Sequence, residues 1–167
     1  NKTDFFREPN HFTFMQKHAL PDIVRRGARS IRAWSSACST GAEPYTIAMV
    51  LEEFCQQSAT PYTILATDLS TEVLATAHRG IYAPDIIDPV PAELRQKYVM
   101  RSAVKDRKEM RIVPRLRSKV AFGRLNLMDD RYEIGDPVHI IFCRNVMIYF
   151  DKETQAGVLN RLCNCLL

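Results

Sequence analysis

The chain has 167 residues, 46% of them hydrophobic and 25% charged, a length and balance that suit one globular domain with one sizeable core. Its 23 basic and 19 acidic side chains leave a net charge of +4. That excess can steer an acidic partner, but no Lys/Arg stripe interleaved with aromatics points to nucleic acid. No apolar run approaches the ~20 residues that span a bilayer, and no signal-peptide pattern opens the chain, so a cytoplasmic protein that does not insert into membranes is expected.

The first residue is Asn1, so the numbering is expected to start inside a longer natural protein. Cys38, Cys55, Cys143, Cys163 and Cys165 form no C-x-x-C pair. Reduced, buried thiols are therefore expected in place of a zinc or redox centre.

Residues 1–10 read as an ordered lead-in around Phe5 and Phe6. Apolar groups at Phe12, Met15, Ala19, Ile23 and Val24 predict a helix over 11–27, broken near Leu20 by Pro21. Residues 30–35 read as a first strand. A small-residue loop, Ser36 to Gly41, leads into an apolar helix with Pro44 in its first turn. Residues 62–67 form a second strand with Asp68 at its end. Ser70 caps the next helix and Gly80 closes it. This alternation predicts a parallel sheet with helices on its faces.

Four prolines interrupt the rhythm over 81–118. A short helix at Ala92–Lys97 and a hairpin of Tyr98–Met100 with Met110–Val113 predict a small antiparallel insertion. Its basic run, Arg101 to Lys119, reads as a solvated hairpin face. Strands at 120–125 and 139–143 follow, and Asp151 caps a last helix through Val158, Leu159 and Leu162.

In open parallel sheets, ligands bind beyond the carboxyl ends of the strands. Four such ends carry polar groups here: Ser39, Thr40, Gly41 and Glu43 after the first, Asp68 after the second, Asn126 after the third, and Arg144 with Asn145 after the fourth. The first loop has one glycine, too few for a pyrophosphate cradle, which disfavours a nicotinamide dehydrogenase, and Glu43 would repel a phosphate. Asp68 can accept from ribose hydroxyls. A ligand with a ribose, a cationic head and no phosphate is indicated, and S-adenosylmethionine meets all three conditions. Taken singly, Asp68, Glu43, Asn126 and Asn145 are as readily turn formers or helix caps. His11, His18, His78 and His139 show no ligand spacing, and no metal is expected.

Four blocks carry a family likeness, one of them Ala66-Thr67-Asp68-Leu69 at the end of the second strand. Asn1-Lys2-Thr3-Asp4-Phe5-Phe6-Arg7 resembles the N-x-T-x-F-F-R opening of the catalytic domain of chemotaxis receptor glutamate methyltransferases, the CheR family. Trp34 to Tyr45 resembles that family's W-S-x-x-x-S-T-G-x-E-P-Y loop. Ile141 to Asp151 is similar to its most distinctive segment.

The resemblance implies an α/β, Rossmann-like S-adenosylmethionine-dependent methyltransferase fold. Its sheet is mostly parallel, with an inserted antiparallel β-subdomain at about 81–118 and the family's last strands absent. Residues 1–167 would be a partial catalytic domain. The implied methyl donor is S-adenosylmethionine, leaving S-adenosylhomocysteine. The implied substrate is glutamate on the helical cytoplasmic region of chemoreceptors, and a monomer is expected.

By matching position, Asn1, Thr3 and Arg7 approach the donor from the lead-in. Glu43 holds its amino-acid portion, Asp68 its ribose, and Asn126 and Leu127 lie at the adenine. Arg144, Asn145 and Tyr149 line the pocket near the transferred methyl, and Arg7 with Tyr149 form the substrate-side pair. Position 42 is Ala where many relatives have an acidic residue, and the hairpin loop Ser102–Glu109 lacks the glycines that admit a receptor tether peptide in some relatives. Two alternatives stand beside this reading: a methyltransferase of the same fold acting on another carboxylate, and a regulatory module that binds S-adenosylmethionine without catalysis.

Overall fold

A computed structural model describes residues 3–167. After the lead-in comes helix α1 (Pro9–Phe14), a π-turn at Met15–Ala19, and α2 (Leu20–Arg25). The break expected near Leu20 is this π-turn, and the helical path continues through it. Pro21 has no N–H to offer the carbonyl one turn back, and its ring crowds that carbonyl. The Leu20 N–H reaches Met15 O instead, and the widened turn absorbs the proline.

Strand β1 (Ile31–Ser35) is followed by α3 (Ala42–Ser58), β2 (Tyr62–Asp68) and α4 (Thr71–Arg79). The Ser70 side chain accepts the Val73 N–H at the start of α4, and Gly80 ends it in the left-handed conformation. Next come β3 (Ile81–Tyr82), α5 (Pro84–Ile87), α6 (Ala92–Tyr98), β4 (Val99–Arg101), β5 (Met110–Ile112) and α7 (Pro114–Arg117). The chain closes with β6 (Val120–Arg124), β7 (Ile140–Phe142), a 3₁₀ turn at Met147–Tyr149 and α8 (Lys152–Cys163). Asp151 caps α8 by accepting the Thr154 N–H at 2.8 Å.

The main sheet is parallel throughout, in the order β6-β2-β1-β7. Its strands stand third, second, first and fourth along the chain, so the winding reverses between β1 and β7. This is the Rossmann-like arrangement, in which that reversal opens a crevice at the carboxyl ends of the strands. The inserted sheet is antiparallel, in the order β3-β5-β4. The expected hairpin is present, and β3 adds a strand the sequence reading did not assign. Two residues are too short a run to show alternation. Tyr98 ends α6 instead of opening β4. Beyond β7, Leu166 makes a parallel bridge with Val138.

Strand parity divides the apolar side chains between the two faces of the main sheet. Ile31, Ala33, Tyr62, Ile64, Ala66 and Phe142 join Phe5, Phe12, Met15, Leu20, Ile47 and Leu51 in one core. Trp34, turned the other way, joins Leu127, Tyr132, Ile134, Val138, Val158 and Leu162 in a second core. Trp34 is fully buried, and its indole N–H donates to Thr67 Oγ1 at 3.0 Å. No helix among the described residues is long and apolar enough to cross a membrane.

Replacing Trp34 by Phe removes both a buried donor and part of a packed ring. A loss of about 2–4 kcal/mol in urea unfolding is expected; a change below about 0.5 kcal/mol would mean that Trp34 does not organise the second core.

Candidate functional site

The parity that builds the first core also delivers polar groups to its upper rim. Ser35 is paired in register with Phe142 and with Ala66. Two residues beyond Phe142 stands Arg144, and two beyond Ala66 stands Asp68, both on the face that packs α3. Glu43 sits in the first turn of α3, where the helix dipole favours a carboxylate. The result is a cleft of about 440 Å³, counting the solvent at its mouth, lined by Thr3, Arg7, Ala37, Ser39, Glu43, Asp68, Arg144, Asn145 and Val146.

Glu43 and Arg144 form the central contact. Arg144 Nε donates to Glu43 Oε2 at 2.8 Å, and Ser35 Oγ donates to Glu43 Oε1 at 2.7 Å. The pair is nearly enclosed, with side-chain exposures of 12% for Arg144 and 9% for Glu43. The rest of the guanidinium is turned to the lead-in. Its Nη1 donates to the Arg7 carbonyl at 2.8 Å and lies near Glu8 Oε2 and His11 Nδ1, at 3.4 and 3.1 Å. Its face lies against the rings of Phe12 and Phe142, 5.1 and 5.5 Å from their centroids. One side chain thus fastens β7, α3 and the lead-in together.

Asp68 accepts the Ser39 N–H on one carboxylate oxygen at 2.8 Å and the Ser70 N–H on the other at 3.0 Å. Each oxygen keeps a lone pair for a ligand hydroxyl. Ser39 reaches this position with φ +48°, and Asn145, Phe6 and Glu8 also have positive φ. Non-glycine residues in that region are uncommon, and two of them, Ser39 and Asn145, line the cleft. Gly41 is also left-handed, at φ +96°, and a Cβ on it would come within 2.7 Å of the Tyr82 hydroxyl. No other residue fits that corner.

Of the residues singled out from sequence, Thr3, Arg7, Glu43, Asp68, Arg144 and Asn145 line this cleft. Asn1 lies outside the described residues. Asn126, Leu127 and Tyr149 are not among the lining residues. The Asn126 side chain accepts the Met128 N–H at 3.0 Å, which caps a turn. Leu127 is buried in the second core. Tyr149 is 65% exposed on the 3₁₀ turn that follows Asn145. Ser35, His11 and Phe12 escaped the sequence reading. Strand alternation from Ile31 could have found Ser35, whereas nothing local marks the other two.

Cys38 lies beneath the loop. Burial, with the nearby Asp68 and Glu43 charges, pushes its thiol far above the ordinary range, so it stays protonated and unreactive. Among the described residues, no group of three or more His, Cys, Asp or Glu could hold a metal.

The whole chain, residues 1–167, matches the family model described as CheR methyltransferase, SAM binding domain. The chain is 41% identical to the chemotaxis protein methyltransferase of Borreliella burgdorferi, over 96% of this chain and 58% of that protein. It is 40% identical to chemotaxis protein methyltransferase 2 of Pseudomonas aeruginosa, over 97% of this chain and 57% of that protein. The Escherichia coli chemotaxis protein methyltransferase is also 40% identical, over 96% of this chain and 54% of its own length. The chain therefore spans a little over half the length of these relatives. Among solved structures, a TehB-like SAM-dependent methyltransferase from Corynebacterium glutamicum superposes with a TM-score of 0.45 and 12% identity, covering 95% of this chain and 68% of that one.

Removing Arg144 strands a buried carboxylate, so Arg144→Ala should cost about 3–5 kcal/mol in denaturant unfolding. Adding Glu43→Gln should recover at least about 1 kcal/mol of that loss; strictly additive losses in the double variant would show that the two charges do not sense each other.

Proposed function

Because the chain belongs to the family of CheR methyltransferase SAM-binding domains, we propose that it transfers a methyl group from S-adenosylmethionine to glutamate side-chain carboxylates of chemoreceptors. The product is a glutamate methyl ester on the receptors' helical cytoplasmic region. The observation that carries this reading is the pairing of two carboxylates, Glu43 and Asp68, in one crevice at the reversal of the sheet, with Arg7 and Arg144 beside them.

The residues present suit S-adenosylmethionine. Its amino-acid end is a zwitterion, and Glu43 with Arg144 offers the complementary charges. Asp68, already held by two N–H groups, suits a ribose diol. The single glycine of the first loop gives no cradle for a phosphate. Thr3 and Arg7, with Asn1 before them, would close the cleft from the lead-in. Asn126 and Leu127 would flank the adenine. Asn145 and Tyr149 would border the reacting end. The bound donor would supply an electrophilic methyl on a cationic sulfur.

The chain's own residues then have a modest task. A glutamate carboxylate has a reference pKa of about 4.3 and is ionised at neutral pH, so no general base is needed. Alignment and exclusion of water are what the site must provide. Arg7, at the mouth of the cleft, can orient the incoming carboxylate by a charge-assisted hydrogen bond. Tyr149, exposed on the adjoining turn, would offer its hydroxyl to the substrate. Cys38, kept protonated beneath the loop, does not compete as a nucleophile.

Incubation with methyl-labelled donor and a receptor cytoplasmic fragment should yield label released as methanol by mild base. Label that resists base, or none at all, would overturn the reading. Arg7→Ala should lower the transfer rate by about 10- to 100-fold, the worth of one charged hydrogen bond, and wild-type turnover in that variant would remove Arg7 from the reaction.

A further inference from the structure

Tyr82 belongs to β3 of the inserted sheet, yet it reaches the cleft's supporting loop. It is buried, with its ring edge-on to Phe5 at a centroid distance of 5.2 Å. Its hydroxyl donates to the Thr40 carbonyl at 2.7 Å. The Gly41 N–H, on the same peptide unit as that carbonyl, donates to Cys38 O at 3.0 Å. One rigid peptide plane is therefore held at both of its polar ends, by Tyr82 and by Cys38. The turn it closes carries Ser39, whose N–H holds Asp68, and leads directly into Glu43. The missing Cβ of Gly41 is what lets the Tyr82 hydroxyl come so close. On its other side, the Tyr82 backbone is paired with Met110 of β5. The side chain thus touches the lead-in and the first loop from within the insertion.

We infer that Tyr82 is a positioning residue for the donor site: its hydroxyl sets the orientation of the Thr40–Gly41 peptide and, through Ser39 and Glu43, the affinity for S-adenosylmethionine. This rests on the donor reading given above. It makes the inserted sheet a structural partner of the cleft. Tyr45 provides an internal comparison. It too is buried, and its hydroxyl donates to a backbone carbonyl, that of Ala77, at 2.8 Å; its ring stands edge-on to Tyr82, but its bond is made to α4 and not to the Thr40–Gly41 peptide.

Calorimetry on the full chain with S-adenosylhomocysteine should show Tyr82→Phe weakening binding by about three- to tenfold, the equivalent of one net hydrogen bond. Turnover at saturating donor and the KM for the carboxylate substrate should stay within about twofold of wild type. Tyr45→Phe, which removes a comparable buried bond, should lower thermal stability without changing affinity. Wild-type affinity in Tyr82→Phe, or equal weakening in Tyr45→Phe, overturns the inference. Failure of the wild-type chain to bind S-adenosylhomocysteine overturns the donor reading and this inference with it. Should Tyr82→Phe not fold, hydrogen exchange of the wild type supplies the readout. Added ligand should slow amides of residues 39–41 together with those of β3, and slowing confined to 39–41 rejects the coupling.

Discussion

The site is organised around one buried ion pair. Taking Glu43 and Arg144 out of water carries a large desolvation cost that is offset only by close geometry and by satisfying their remaining donors and acceptors. The fold meets both conditions. Ser35 completes the Glu43 carboxylate, and the Arg7 carbonyl accepts from the guanidinium Nη1. Phe12 and Phe142 cover the guanidinium faces. A pair of this kind is weak evidence for stability but strong evidence for registration, because β1, α3, β7 and the lead-in must all be in place before it can form.

The parallel sheet brings the pair together. Its strands present alternate residues to alternate faces, so pairing Ser35 with Phe142 places Arg144 on the same side as Ser35 and its neighbour Glu43. The equivalent register with β2 brings Asp68 to the adjacent strand end. A slip of one residue in either pairing would turn these charges into the second core against Trp34 and Val158. Core packing and site assembly are therefore one constraint. The same alternation that makes Ile31, Ala33 and Ile64 apolar determines where the carboxylates stand.

Much of this was legible in the sequence because it depends on local pattern. The apolar strands, the caps at Ser70 and Asp151, and the glycine ends at Gly41 and Gly80 carry their own signals. Polar groups at four strand ends point to one edge of a parallel sheet. What escaped depends on contacts distant in sequence. The bond from Arg144 to the Arg7 carbonyl joins residues 137 positions apart, and no local pattern encodes it. The positive φ of Ser39 is dictated by its bond to Asp68, since serine has no intrinsic preference for that conformation. The strand Ile81–Tyr82 owes its existence to β5. Pro21 read as a break because proline ends ordinary helices, whereas a π-turn accommodates it when the helix is packed on both sides of the turn. Asn126, Leu127 and Tyr149 stand at a turn, in the second core and on an exposed surface, outside the lining of the cleft, so their places follow from the family likeness alone.

The order in which the strands are strung along the chain has a temporal consequence. β1 and β2 can pair as soon as they leave the ribosome, but β7, which flanks β1 in space, is made about a hundred residues later. Until it arrives, Glu43 and the flank of β1 stand open to water, and the aromatic lead-in has no arginine to close over. Loop-closure entropy makes such distant pairings slow. A nascent chain lacking β7 therefore has a core in progress but no Glu43–Arg144 pair, so the crevice takes its shape only once β7 is seated.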